Sequence, residues 1–504
     1  MITVHNGMKP VGLKEAVFFP FDEFSIPLRD GAFHRLLCGK GRGWRDTVVL
    51  RNGPQGAHDE LVMYYGSVIQ IGDTIHMWYI GRKSDPLSPY YERRWPRPEQ
   101  TGRAAVVRPG DPPAQDMGIS DKPGRVCYAV SKDGIHWEKP ELGLVECNGN
   151  RRNNLVDFHQ DADIHALAIL HEPEDPDPAR RFKMVYEAWR YGQRLAVAYS
   201  ADGLRWTDSP NNPVGVKLEL SGVTRMGGLY LVTGQTDGPY CSDEPGRLFT
   251  TLVSYDFEDW RHGGVYSLRR TPIPNTPFVR EETHLGAGLH NRGNVILGIY
   301  GMWHHPVSDD RRHVQIDLGL AVSTDGMHYR EPVANFKFLA GAEERESMGP
   351  ALSQGQGMAT LNGRTYYWYS LWPCAGGGGH VRIASWAQDR FGCFETKAGK
   401  PGRAVTCPFT VSAPGARVHL NLGGVGPHSE IRLALLDEKF HPIPGFTADD
   451  MTPLTAESFR APVAWRGGAV IPADASPYRM QFSWHGLRAE DARVYAMYVE
   501  EATA

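Results

Sequence analysis

VCYAVSKDGIHWEKP, Val126–Pro140, decides the fold, because the chain repeats it. VAYSADGLRWTDSP follows at Val197–Pro210 and GLAVSTDGMHYREP at Gly319–Pro332. Two degraded copies, TLVSYDFEDWRH at Thr251–His262 and RIASWAQDRFGCFE at Arg382–Glu395, complete the series. The aromatics that close the copies, Trp137, Trp206, Trp260, Tyr329 and Phe394, stand 54 to 69 residues apart. In the three close copies an apolar strand runs into Ser, and Asp-Gly then supplies a tight turn. Glycine adopts the positive φ that other residues resist, and aspartate accepts backbone N–H groups inside the turn. The aromatic opens the next strand and plugs the gap to a neighbouring sheet. A period of this size in β-type sequence predicts a propeller.

Outward from each copy lie further strand-like runs. They include YYGSVIQI and TIHMWYIGR before the first, HALAILHE and RFKMVYEAW before the second, and MGGLYLVTGQ and RLFTTLVSY around the third. NVILGIYGMW and VQIDLGLAVS serve the fourth, and GMATL and TYYWYSLW the fifth. After about Lys397 the rhythm changes to RVHLNLGG, EIRLALLDE, RMQFSWHG and RVYAMYVEE, which alternate apolar and polar residues without the Asp-Gly-aromatic signature. Such alternation marks half-buried antiparallel strands. The prediction is an all-β chain: a five-bladed β-propeller over 61–396, then a jelly-roll-like β-sandwich over 397–504. Residues 1–60 form an N-terminal lead-in available to close the ring.

Composition narrows the function. A net charge of -4 without a basic block argues against nucleic acid or membrane as partner, and no run of about 18 apolar residues spans a bilayer. Seven scattered cysteines, never in a C-x-x-C pair, argue against a disulfide framework and a structural zinc site. Met1–Leu13 has no apolar core of signal-peptide length, so a cytoplasmic location is expected. No metal or cofactor is expected.

This order of repeats and sandwich strands, including IRLALLDEKFHPIPGF at Ile431–Phe446, resembles the five-bladed glycoside hydrolases of families 32, 43, 68 and 117 and the mannoside phosphorylases of family 130. The resemblance implies a small oligosaccharide as partner and carboxylates projecting from the inner strands into a central funnel. Glycoside cleavage needs one protonated carboxyl to release the leaving oxygen and one ionised carboxylate to attack or to activate water. The family 32 Asn-Asp-Pro-Asn-Gly and Glu-Cys motifs are absent. Candidates therefore come from position, just ahead of each inner strand.

Asp59 and Glu60 precede the first inner strand, and Asp161, Asp163 and His165 the second. The third carries Arg225 and no acid. Glu281, Glu282 and His284 precede the fourth, and Gln354 and Gln356 open the fifth. Asp163, Glu60 and Glu282 are the expected catalytic carboxylates. Asp59, Asp161, His165, Arg225, His284, Gln354 and Gln356 are the expected substrate ligands. Each has a structural alternative: a turn cap for the acids, an inter-blade salt bridge for Arg225, a satisfied core histidine for His165 and His284. Trp78, Trp189, Trp303 and Trp368 read as core. The leading function is a glycosidase acting on a furanosidic or anhydro/deoxy oligosaccharide. A phosphorylase and a non-catalytic carbohydrate-binding propeller are the alternatives.

Overall fold

The computed structural model describes residues 1–7, 11–39, 48–83, 124–160, 162–237, 247–270, 281–304, 315–341, 351–371, 379–400 and 402–503. Six short strands open the chain: β1 (Ile2–Val4), β2 (Gly12–Leu13), β3 (Glu15–Phe18), β4 (Leu28–Asp30), β5 (Ala32–Leu36) and β6 (Val48–Leu50). Antiparallel meanders follow. The first is β7 (Leu61–Ile71), β8 (Thr74–Arg82) and β9 (Arg125–Ser131), with Glu138 bridging Val130 as a fourth rung. The second is β10 (Ile164–His171), β11 (Phe182–Ala188), β12 (Leu195–Ser200) and β13 (Thr207–Asp208). The third is β14 (Glu219–Met226), β15 (Leu229–Asp237), β16 (Arg247–Ser254) and β17 (Arg261–Leu268). The fourth is β18 (Glu281–Asn291), β19 (Ile296–His304), β20 (Gln315–Ser323) and β21 (Lys337–Leu339). The fifth is β22 (Leu352–Leu361), β23 (Arg364–Leu371) and β24 (Gly379–Ala387), and its outer strand is β6 from the N-terminal segment.

The leading strands β7, β10, β14, β18 and β22 touch one another in cyclic order, and Gln356 of β22 bridges Ser67 of β7 to shut the circle. Each of the five carries a register shift in its pairing with the next strand. A bulge twists a strand sharply and frees a backbone group, which suits strands crowded around an axis. Backbone groups on the edges of these strands are met by side chains of the neighbouring leading meanders. Ile169 N–H donates to Ser67 Oγ at 3.1 Å, Ala287 N–H to Thr233 Oγ1 at 3.2 Å, and Leu289 N–H to Gln356 Oε1 at 2.8 Å.

The repeat works as its chemistry demands in four copies. Asp133, Asp202, Asp256 and Asp325 each accept two backbone N–H groups through Oδ1. In the third copy Phe257 takes the glycine's place at φ 70°, and Ser254, Asp256 and Trp260 still make the motif's bonds. Neighbouring meanders are latched at the turns: Trp78 Nε1–H donates to Gly203 O at 2.7 Å and Trp368 Nε1–H to Gly134 O at 3.0 Å. The fifth copy differs. Asp389 turns its carboxylate to Arg292 and to Tyr498 Oη–H, and Phe394 leaves the ring.

Phe394 lies on β25 (Gly392–Thr396), which pairs with β5 and with β32 (Arg493–Glu501). The intervening strands are β26 (Arg403–Val405), β27 (Phe409–Val411), β28 (Ala416–Gly423), β29 (Glu430–Asp437), β30 (Ser458–Pro462) and β31 (Asp474–His485). They form two sheets, ordered β2-β1-β27-β31-β26-β4 with β29 on β31, and β30-β28-β32-β25-β5 with β3 on β32. One apolar core lies between them, built by Phe18, Phe394, Phe409, Leu433, Phe482 and Trp484. Residues 1–60 are thus divided: β1–β5 join these sheets and only β6 joins the ring. The reason is the apolar alternation of Ile2, Val4, Ala16 and Phe18, whose side chains are buried in that core. Val17, Phe19 and Tyr498 pack on Leu297, Ile299, Leu320 and Trp386, fastening the paired sheets to the fourth and fifth meanders.

Candidate active site

Where the leading strands begin, one end of the ring gathers carboxylates. Asp163 sits immediately before β10 at φ 51°, a left-handed conformation that costs a non-glycine residue about 1–3 kcal/mol and concentrates at functional sites. Three contacts fix it there. Arg82 of β8, with a side chain 1% exposed, pairs with Asp163 Oδ1 at 2.7 Å. Gly124 N–H donates to Asp163 Oδ1 at 2.9 Å, and Trp189 N–H donates to Asp163 O at 3.3 Å. His165 Nε2 stands 3.5 Å from Asp163 Oδ2. Burial alone would raise the Asp163 carboxyl, but His165, Arg82 and the Gly124 N–H together hold it below the usual carboxylate range.

Glu187, near the end of β11, is the buried partner. Its strand, FKMVYEA, is buried throughout. Burial, with the nearby charges of Glu219 and Asp163 added, raises the Glu187 carboxyl well above the usual range, against smaller pulls from Lys217 and a Gln193 hydrogen bond. Its Oε1 meets no hydrogen-bond partner among the described residues. Glu219 opens β14. Gln235 Nε2–H donates to Glu219 Oε2 at 3.1 Å, and Arg247 NH1 lies 4.0 Å from the same oxygen. Arg247 also donates to Gln235 Oε1 at 2.8 Å and lays its guanidinium 3.9 Å from the Trp303 ring centre. Trp303 stacks on His284, and His284 approaches Tyr65 of β7 with ring centres 6.2 Å apart. Asp163, Glu187 and Glu219 therefore form one electrostatic cluster spanning the second and third meanders, with aromatic and cationic groups beside it.

The sequence-derived candidates divide. Asp163, His165 and His284 lie in or beside this cluster. Glu282 is buried on β18, where Arg270 NH1–H donates to its carbonyl oxygen at 2.8 Å. Of Glu281 only the backbone is described, and Asp161 lies outside the described residues. Glu60 turns back on its own loop, accepting Gly56 N–H at 3.0 Å. Asp59 is buried in an ion pair with Lys139 and accepts Tyr79 Oη–H at 2.9 Å, so its carboxylate serves the first meander's outer half. Gln354 and Gln356 are also spent internally. Gln354 Nε2 donates to His284 O and Gly286 O in the bulge of β18, and Gln356 Nε2 to Val223 O of β14 and Leu289 O of β18.

Arg225 sits at the opposite end of β14 from Glu219, paired with Glu172 at 2.7 Å and stacked on Tyr230. The third leading strand is thus ELSGVTRM, one strand earlier than the MGGLYL run that its sequence suggested. Its acid, Glu219, was masked by the Ser, Gly and Thr that follow, although Val214, Val216, Leu218 and Leu220 alternate up to it. Glu187 was hidden inside RFKMVYEAW. A lone acid in an otherwise apolar strand was its signal. Trp189, read as core, is 44% exposed at the cluster's edge.

No family model matches the sequence, and no curated protein matches it. Solved structures do. A glycosyl hydrolase from Bacteroides ovatus is 14% identical over 70% of this chain and 94% of its own, with a TM-score of 0.42. A family 32 β-fructofuranosidase of Bombyx mori is 10% identical over 91% of this chain and 94% of its own, with a TM-score of 0.39. A structure from family 130, a family of mannoside phosphorylases containing hydrolases that target β-1,2 mannosidic linkages, is 14% identical over 70% and 94%, with a TM-score of 0.40. At these scores the likeness is descriptive, and any chemistry has to come from the side chains.

Proposed function

We propose that this chain is a glycosidase, working at the mouth of a five-bladed propeller whose closing strand is β6 and whose companion sheets form a β-sandwich. The observation that carries the reading is Glu187: a buried carboxyl pushed strongly toward its protonated form, within electrostatic reach of two other carboxylates. Glycoside cleavage asks for such a division of labour, in which environments drive neighbouring carboxyls apart. In this reading Glu187 is the acid whose proton goes to the leaving oxygen. Glu219, held by Gln235 and Arg247, is the second carboxylate, attacking the sugar or activating water. Asp163, kept charged by Arg82 and His165, orients the sugar and steadies the positive charge that develops on it. The substrate is a short oligosaccharide, furanosidic or anhydro/deoxy at the cleaved residue.

Phosphorolysis is the second reading, and Arg247 beside Glu219 is the observation that favours it, since a guanidinium at the mouth suits a phosphate oxygen pair. One experiment separates these readings from simple binding. Aryl-furanosides, aryl-pyranosides and oligosaccharides are assayed with and without phosphate, using wild type, Glu187→Gln and Glu219→Gln. Turnover by wild type alone supports catalysis, and a phosphate requirement selects the phosphorylase. With activated dinitrophenyl leaving groups, Glu187→Gln should recover while Glu219→Gln should not. Undiminished activity in Glu187→Gln overturns the assignment.

A further inference from the structure

We infer that Gln235 is a positioning residue that keeps Arg247 off the Glu219 carboxylate, leaving it hydrogen-bonded but not locked in a direct guanidinium pair. The inference rests on the glycosidase reading, in which Glu219 is the second carboxylate, and adds a residue to it. Gln235 stands directly opposite Glu219 in the β14–β15 pair, so the two side chains share one face of the sheet. The residue is 4% exposed. Its Oε1 accepts Arg247 NH1–H at 2.8 Å and Leu285 N–H at 3.1 Å, and its Nε2–H donates to Glu219 Oε2 at 3.1 Å. These partners fix the amide's orientation. Turned over, its NH2 would face two donors and its oxygen a carboxylate.

The Leu285 bond anchors the amide from the neighbouring meander. Leu285 lies in the β18 bulge at φ 60°, a left-handed conformation that a leucine holds only where its surroundings over-determine it. The bulge presses on β15 itself: a Cβ on Gly286 would come 2.4 Å from Gly234 N. Thr233 Oγ1, two residues before Gln235, accepts Ala287 N–H and donates to Ala287 O. Against this fixed acceptor Arg247 turns NH1–H, with its guanidinium resting on the Trp303 ring. NH1 is left 4.0 Å from Glu219 Oε2, about 1 Å beyond a charge-assisted hydrogen bond. A carboxylate bonded directly to a guanidinium commits its lone pairs and is the weaker base and nucleophile. The interposed amide supplies one donor and carries no charge.

The test compares wild type, Gln235→Met and Gln235→Glu, each variant also combined with Arg247→Met, by crystal structure and by hydrolysis in phosphate-free buffer. The substrate is the aryl-furanoside, aryl-pyranoside or oligosaccharide that wild type turns over fastest. In the Gln235→Met crystal structure Arg247 NH1 should close to about 3 Å from Glu219 Oε2. Its kcat should fall about tenfold with KM nearly unchanged, and adding Arg247→Met should return much of the loss. Gln235→Glu keeps an acceptor for Leu285 N–H and for Arg247, so there the added Arg247→Met should deepen the loss. A purely structural glutamine predicts no recovery in either background. An Arg247 that stays about 4 Å from Glu219 in Gln235→Met, or a second substitution acting in the same direction in both backgrounds, overturns the inference. Where Gln235→Met does not fold, recovery on adding Arg247→Met to Gln235→Glu overturns it and a deeper loss supports it. If wild type turns over no saccharide, the glycosidase reading fails and the position of Arg247 in the variant crystal structures decides the role of Gln235.

Discussion

Glu187→Gln probes the buried acid through stability as well as turnover. A carboxyl whose native value lies above its unfolded value favours the fold fully at acid pH, below the ordinary glutamate value of about 4.3. As pH rises beyond that value, the unfolded chain releases a proton that the native protein still holds. Stability then falls by about 1.4 kcal/mol per pH unit until the native Glu187 carboxyl itself ionises. Glutamine has no proton to hold, and it matches the neutral acid in shape. Titrating groups remote from Glu187 are common to both proteins and drop out of the difference, whereas Glu219 and Asp163 titrate with Glu187 and share in it. The variant should therefore gain on wild type as pH rises through the window, by up to about 1.4 kcal/mol for each pH unit.

The assay is urea denaturation of both proteins at pH 5, 6 and 7 at constant ionic strength. Curves that run parallel, with a constant offset, would refute the raised carboxyl and with it the acid assignment. Turnover should move the other way. Loss of a general acid costs about 10²–10⁴ in rate on an unactivated leaving group. A variant more stable than wild type near neutrality and nearly inactive would be the expected pair of results.

Asp163→Asn should abolish most turnover on a verified substrate, and it should leave Arg82 buried beside a neutral side chain, detectable as a lower urea midpoint. Asp389→Ala removes the carboxylate that Arg292 and Tyr498 share where ring and paired sheets meet, so a loss of about 3–5 kcal/mol is expected, with activity retained at low temperature. Arg225→Ala removes a half-exposed pair at the far end of β14. It should change stability by no more than about 1 kcal/mol and leave kcat/KM untouched, whereas an activity loss would place that end of the strand in the site.

The repeat was legible because its turns are local. Ser, Asp, Gly and Trp within seven residues specify their own hydrogen bonds, and the pattern survives even where Phe257 replaces glycine. The pairing of β6 with β24, and of β25 with β5, was not legible. Those contacts join residues more than 300 apart, and a three-residue strand such as Val48–Leu50 carries too little periodicity to announce a partner. Asp163 could be singled out in the sequence because it directly precedes an apolar run. Glu187 and Glu219 gave no such signal, because one lies inside a buried strand and the other heads a strand weakened by Ser221, Gly222 and Thr224. Burial of an acid is a tertiary property, and only the folded ring supplies it.

The two ends of β14 explain why position along the strand matters more than residue type. Glu219 and Arg225 are six residues apart, about 20 Å in extended chain. Arg225 lies where β14 turns toward β15, and there its charge is met by Glu172, itself shared with Lys183. Glu219 lies where β11 ends and β16 begins, with Arg247 4.0 Å away, and there its charge adds to the burial that raises the Glu187 carboxyl. A charge at the first end is neutralised into structure. At the second end burial, with the charge of Glu219 adding to it and Lys217 opposing, favours the proton on Glu187.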